Sequence, residues 1–187
     1  MKKHAHRLVR TSIAAALSAF VYVIALSIPA TSAQAQNTPQ LIDVFGKWEG
    51  YTYSEEGQKV CYMGSQPTSA KGDYTQRGKI YVMVTHRPGL KLFNEVSFIT
   101  GYTFKDKSTV DLRIDSKKFS LFTHADSAWA VDAETDRKLV SAMKSGSSMV
   151  VVGYSTRGTQ TTDTYSLSGF TAAYNAISKA CNTKPVN

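Results

Sequence analysis

Along most of this chain apolar and polar positions alternate in short blocks, and only twice does the apolar spacing lengthen to that of a helix. Asn94–Tyr102 shows the alternation well, with Val96, Phe98 and Thr100 on one face and Glu95 and Ser97 on the other. Further strands are predicted over Phe45–Tyr53, Lys59–Gln66, Lys79–His86 and Met149–Tyr154. Thr109–Ile114 and Lys117–Phe122 form a hairpin across Asp115-Ser116, and Trp129 lies in a short apolar piece. Ser155–Gln160 is a polar turn around Gly158, after which Thr161–Leu167 resumes as a strand. Gln36–Gln40 frays, and Pro67–Gly78 has no periodicity and reads as a long surface loop.

The two helical stretches come late. Asp132 caps a helix over Ala133–Ser145 that turns Leu139, Val140 and Met143 inward and stops at Gly146. In the second, Phe170, Ala173, Tyr174, Ile177 and Cys181 share one face, and Ser168 stands where an N-cap belongs. Eight or nine modest strands with turn chemistry between them, plus two helices, predict a mainly β protein. The expected architecture is an antiparallel β-sandwich with two docked helices, one of them C-terminal. The alternation argues against a parallel sheet, which would need helical crossovers between most strands.

The N-terminal end changes the picture of where this domain works. Lys2, Lys3, Arg7 and Arg10 precede an apolar run from Ile13 to Ile28, and Ala33-Gln34-Ala35 supplies a small-x-small cleavage site. Residues 1–35 therefore read as a signal peptide cleaved after Ala35, residues 36–44 as a flexible segment and residues 45–187 as a single domain. The apolar run is short for a membrane span, and no second run of membrane length follows. Export to the periplasm or beyond is the expectation. The signal takes four of the 22 Lys+Arg and none of the 14 Asp+Glu, so the mature chain sets 18 bases against 14 acids, and its charge is +4 rather than +8. Those bases are dispersed beside acids, as on solvated turns and helix faces, which argues against a nucleic-acid partner.

Candidate chemistry is sparse. Cys61 and Cys181, in an exported chain, suggest one structural disulfide; buried free thiols or a redox pair are the alternatives, although C-x-x-C spacing is absent. The mature chain holds two histidines, His86 and His124, without the local pairing a zinc site needs, so neither metal nor cofactor is expected. Gly153–Gly158 misses the G-x-S-x-G pattern by one residue and lies between strands rather than at a strand-to-helix turn. No catalytic residue is assigned; a serine assembled in space with His124 and Asp126 is the hydrolase alternative. Aromatic residues exceed what a sandwich core this size absorbs, and Tyr51, Tyr53, Tyr102 and Arg157 are the candidate binding surface.

Seven strings in order carry a resemblance. They are Val60-Cys61-Tyr62, Ser65–Thr68, Tyr81–Pro88, Asn94–Ser97, Lys118–Thr123, Ala128-Trp129-Ala130 and Thr161–Phe170. Together they resemble the invasion-associated locus B family of small exported alphaproteobacterial proteins, across essentially the whole mature chain. Many relatives have a further cysteine shortly after the N-terminal tryptophan; here Trp48 is followed by Glu49–Tyr53 with none, which favours a single Cys61–Cys181 bridge. The resemblance implies an envelope or secreted protein, named for a role in host-cell invasion and carrying no established catalytic residues. The family also occurs in free-living bacteria, so invasion is not its general biochemical task. The expected function is non-catalytic binding of a protein, glycan or cell-wall partner in the envelope or at a host surface.

Overall fold

In the computed structural model residues 38–186 are described; the expected signal peptide and its cleavage site lie outside them. Eleven strands follow in chain order. They are β1 (Gln40–Phe45), β2 (Trp48–Glu55), β3 (Gln58–Ser65), β4 (Ser69–Gly72), β5 (Tyr81–Arg87), β6 (Leu92–Ile99), β7 (Thr109–Ile114), β8 (Lys117–His124), β9 (Ser127–Trp129), β10 (Ser148–Tyr154) and β11 (Gln160–Ser166). Helix α1 (Ala133–Ser145) lies between β9 and β10, and α2 (Phe170–Ala180) follows β11. All strands belong to one antiparallel sheet of order β1-β2-β3-β5-β6-β9-β8-β7-β10-β11-β4, which does not close. The protein is thus mainly antiparallel β with two helices, one C-terminal, as the alternation predicted.

The sandwich character comes from this one sheet coiling back on itself. Its inner face carries Trp48, Met63, Val84, Val82 and Phe98 from one half, and Leu121, Leu112, Val151 and Tyr165 from the other, all buried. Phe98 on β6 meets Tyr165 on β11 edge-to-face at 6.4 Å between ring centroids, although four strands separate them in the sheet. Trp48 Nε1 donates to Ser166 O at 3.0 Å across the same gap. Right-handed twist makes a long sheet curl, and here the curl lets apolar side chains of both halves fill one core.

The helices cover the remainder of the inner face. Helix α1 begins and ends as its sequence predicts: Asp132 accepts from Thr135 N–H at 2.7 Å, and Leu139, Val140 and Met143 are buried. Helix α2 buries Phe170, Ala173, Tyr174 and Ile177, and the disulfide Cys61–Cys181 ties its end to β3. Its start differs from expectation. The cap position is Gly169, with φ +91°, and no side chain caps the helix. A Cβ there would stand 1.8 Å from Phe45 O, so only glycine fits. Ser168 instead offers its carbonyl to Lys47 N–H at 3.2 Å, joining the β1–β2 turn to the entry of α2.

Two other boundaries move. The predicted strand Phe45–Tyr53 is broken by a turn at Gly46 (φ +62°), and paired strand extends back to Gln40, ahead of the position where sequence placed the domain's start. The stretch Pro67–Gly78, read as loop, contains β4, which pairs with β11 through Ser69–Gly72. Among the described residues no helix is long and apolar enough to cross a membrane.

Candidate functional site

The four residues nominated from sequence fall in two places. Tyr51 and Tyr53 stand on the outer face of β2, where Tyr51 stacks on Tyr62 at 5.1 Å and Tyr53 meets the same ring edge-on at 5.8 Å. The Tyr51 hydroxyl donates to Glu49, and that bond pushes its pKa up to about 12, so it remains a donor at any physiological pH. Tyr102 and Arg157 lie at one end of the coiled sheet and line a polar cleft of about 700 Å³.

That cleft is assembled by three segments remote in sequence: Asp73–Gly78, Gly101–Thr103 and the β10–β11 turn with Thr161. Its floor is a buried ion pair. Arg77 donates through both terminal nitrogens to Asp163, at 2.7 and 2.6 Å, and through Nε to Thr100 O at 2.6 Å. The two side chains are 4% and 1% exposed. Burial pulls the Arg77 guanidinium down, but the hydrogen bonds and charge of Asp163 outweigh it and hold the pKa above its ordinary value. The guanidinium also sits near the rings of Tyr74 and Tyr102, at 5.5 and 5.0 Å from their centroids. Tyr102 shares a hydrogen bond with Thr161 at 2.6 Å, fixing its ring. Above this rigid floor the lining is hydroxyl-rich, with Thr103, Thr156 and Thr159, and Arg157 stands exposed at the turn. Sequence offered one hint of the floor: in Thr161-Thr162-Asp163-Thr164-Tyr165 the acid lies in phase with the buried tyrosine. Its cation, Arg77, is 86 positions away and carried no local signal.

The histidines give different answers. His86, on β5, is fully buried against α2, with its Nε2 3.2 Å from Ser178 Oγ. Its Nδ1 accepts the backbone N–H of Asn94 at 3.1 Å, so the ring proton resides on Nε2 and points at the serine. Burial lowers the His86 pKa to about 4, and a neutral ring of this tautomer cannot take the Ser178 proton. His124 is exposed and pairs with Ser127 through its backbone, and among the described residues its ring makes no side-chain hydrogen bond. Near it, Ser127 Oγ donates to Asp126 at 3.0 Å, so the serine and acid meet without the histidine between them. Gly153 and Tyr154 close β10 and the residues from Ser155 to Thr159 form the β10–β11 hairpin turn, which keeps Ser155 from a strand-to-helix elbow. Among the described residues no group of three His, Cys, Asp or Glu is placed to hold a metal ion.

Fold and cleft together define a small disulfide-stapled β protein with a hydroxyl-lined, rigid-floored cleft at one end of a coiled sheet. The sequence profile of the Invasion associated locus B (IalB) protein family matches residues 48–178, and the chain belongs to that family. The fold is similar to the crystal structure of invasion associated protein b from Bartonella henselae, with a TM-score of 0.54 and 15% identity, over 75% of this chain and 96% of that one. No protein with a curated description matches the chain.

Proposed function

We propose that this chain is an exported, non-catalytic envelope protein that binds a cell-wall glycan in the polar cleft at the end of its sheet. The cleft carries the reading. Sugars present hydroxyls with apolar ring faces between them, and the lining offers threonine hydroxyls, the rings of Tyr74 and Tyr102, and the cation of Arg157. The Arg77–Asp163 floor holds the Tyr74 and Tyr102 rings in place before a ligand arrives, which lowers the ordering cost of binding. The expected signal peptide over residues 1–35 and the Cys61–Cys181 disulfide support the periplasm or cell exterior as its location. A contribution to host-cell interaction, the role for which the family is named, belongs to the same reading. The sealed, wrongly protonated His86 and the unconnected His124 support a binding role over the hydrolase alternative.

The test is saturation-transfer NMR with the disaccharide N-acetylglucosaminyl-N-acetylmuramic acid and the mature oxidised protein. Transfer should be clear for the natural protein and fall several-fold in Arg157→Ala and Thr156→Val, both exposed positions whose change leaves the fold intact. No transfer, or equal transfer from all three proteins, would sink this reading. Cleavage of the disaccharide during the experiment would favour the hydrolase.

A further inference from the structure

On another part of the molecule two clefts adjoin, sharing Lys91, Phe93 and Ala133, and they carry opposite charge. The first, about 480 Å³, opens where β9 is too short to cover β6: β9 pairs only with Ser97–Ile99, leaving Leu92–Val96 beside the start of α1. Phe122 and Trp129 form its apolar wall, stacked at 5.6 Å, with Phe122 46% exposed. Three carboxylates, Glu95, Asp132 and Asp136, line the same cleft, with His124 also lining it. Glu95 is paired to Arg87 at 2.9 Å and Asp132 caps α1, but among the described residues the Asp136 carboxylate is held only by Val96 N–H at 2.9 Å, without a cation. Burial, reinforced by the charges of Glu95 and Asp132, raises the Asp136 pKa to about 6 against the pull of the Val96 bond. An arriving cation would relieve that repulsion.

The second cleft, about 450 Å³, reverses the sign. Arg137 and Lys184 join Lys91 there, and none of the three forms an ion pair among the described residues. Aromatic faces beside carboxylates suit an organic cation whose charge is spread over apolar methyl groups. A neighbouring trio of unpaired bases suits a phosphate. A zwitterion with its ammonium and phosphate close together matches both linings at once. Two large apolar side chains adjoin the lining in sequence and face water: Leu90, next to Lys91, is 64% exposed, and Val131, next to Asp132, is 68% exposed. Exposed apolar side chains around a headgroup-sized cleft fit the boundary of a lipid layer.

We propose that the paired clefts bind the phosphocholine headgroup of a lipid bilayer, the trimethylammonium against Phe122 and Trp129 and the phosphate against Lys91, Arg137 and Lys184. This site is separate from the glycan cleft, and the two proposals stand or fall independently. Soluble phosphocholine titrated into the mature oxidised protein should give saturable NMR shifts confined to cleft residues. Asp136→Asn, which keeps an acceptor for Val96 N–H, and Lys91→Gln, at an exposed position, should each weaken binding about ten-fold. The protein should float with phosphatidylcholine vesicles, be displaced by phosphocholine, and lose flotation in the Leu90→Ser, Val131→Ser double variant. Shifts that survive both single variants would overturn the site. Flotation only with anionic phosphatidylglycerol vesicles would show a general attraction of the basic protein and overturn it too. Binding of free phosphocholine without vesicle flotation would overturn the membrane assignment.

Discussion

His86 and Asp136 are two buried or half-buried titratable groups whose burial has opposite consequences for stability. The His86 ring stays neutral in the folded protein down to about pH 4, while in the unfolded chain it takes a proton near its ordinary value of 6.5. Stability from this group is complete above that ordinary value and is lost as pH falls toward 4, by on the order of 3 kcal/mol. Ser178, Asn94, Tyr174 and Phe93 face it, none of them charged. Asp136 holds its proton up to about pH 6 when folded, against 3.8 ordinarily, so its ionisation costs stability as pH rises through that window. Glu95, Asp132, Lys91 and His124 line the cleft around it. Asp136→Asn should therefore raise the urea midpoint at pH 7.5, and the gain should vanish by pH 4. A constant difference across that range would show that charge is not the cause. In the natural protein the His86 ring resonance should stay flat from pH 8 to pH 5.

At the scale of elements, the two helices show how far a local code reaches. Helix α1 is written in its own residues: Asp132 caps it, Glu134 and Asp136 sit in its first turn, and Lys144 lies in its last. Its sequence predicted both ends. Helix α2 has the inward face its spacing predicted, but its first turn is set by a backbone contact with Phe45, over 120 positions away. Ser168 satisfies the local rule for a cap and does not act as one, because the helix starts one residue later, with Gly169 at the cap position. Three variants separate the cases by urea unfolding. Asp132→Ala should cost about 1 kcal/mol, as loss of a cap does. Ser168→Ala should stay within about 0.5 kcal/mol. Gly169→Ala should cost on the order of 3 kcal/mol or more, since it meets both a positive φ and a backbone atom. A Ser168→Ala loss equal to that of Asp132→Ala would restore the serine as the cap.

For the whole molecule, the bridge between Cys61 and Cys181 closes a loop of 120 residues and holds α2 against the β1–β2–β3 end of the sheet. Constraining so long a loop in the unfolded chain stabilises the fold by about 4–5 kcal/mol in the chain-entropy model. Cys61→Ala with Cys181→Ala should lower the urea midpoint accordingly, and reduction of the natural protein should match it. The variant should still fold at room temperature, because Trp48, Phe170 and Ile177 keep α2 docked through apolar contact. Equal midpoints for oxidised and reduced protein would remove the bridge from the energetics.

What sequence determined by itself was whatever is encoded by near neighbours. Side-chain period named most strands and both helices, turn residues placed the Asp115-Ser116 hairpin, and seven short strings carried the family. Cys61 and Cys181 could be paired because there were only two. Tertiary structure alone decided the coiling of one open sheet into a two-faced core, because curl and closure depend on contacts such as Phe98 with Tyr165 that no local pattern specifies. It alone split the nominated surface, sending Tyr51 and Tyr53 to the outer face and Tyr102 and Arg157 to the cleft. Arg77 looked like one more base in a polar loop until folding brought it to Asp163. Desolvation makes such a pair decisive, and desolvation is a property of the packed molecule rather than of any stretch of its chain.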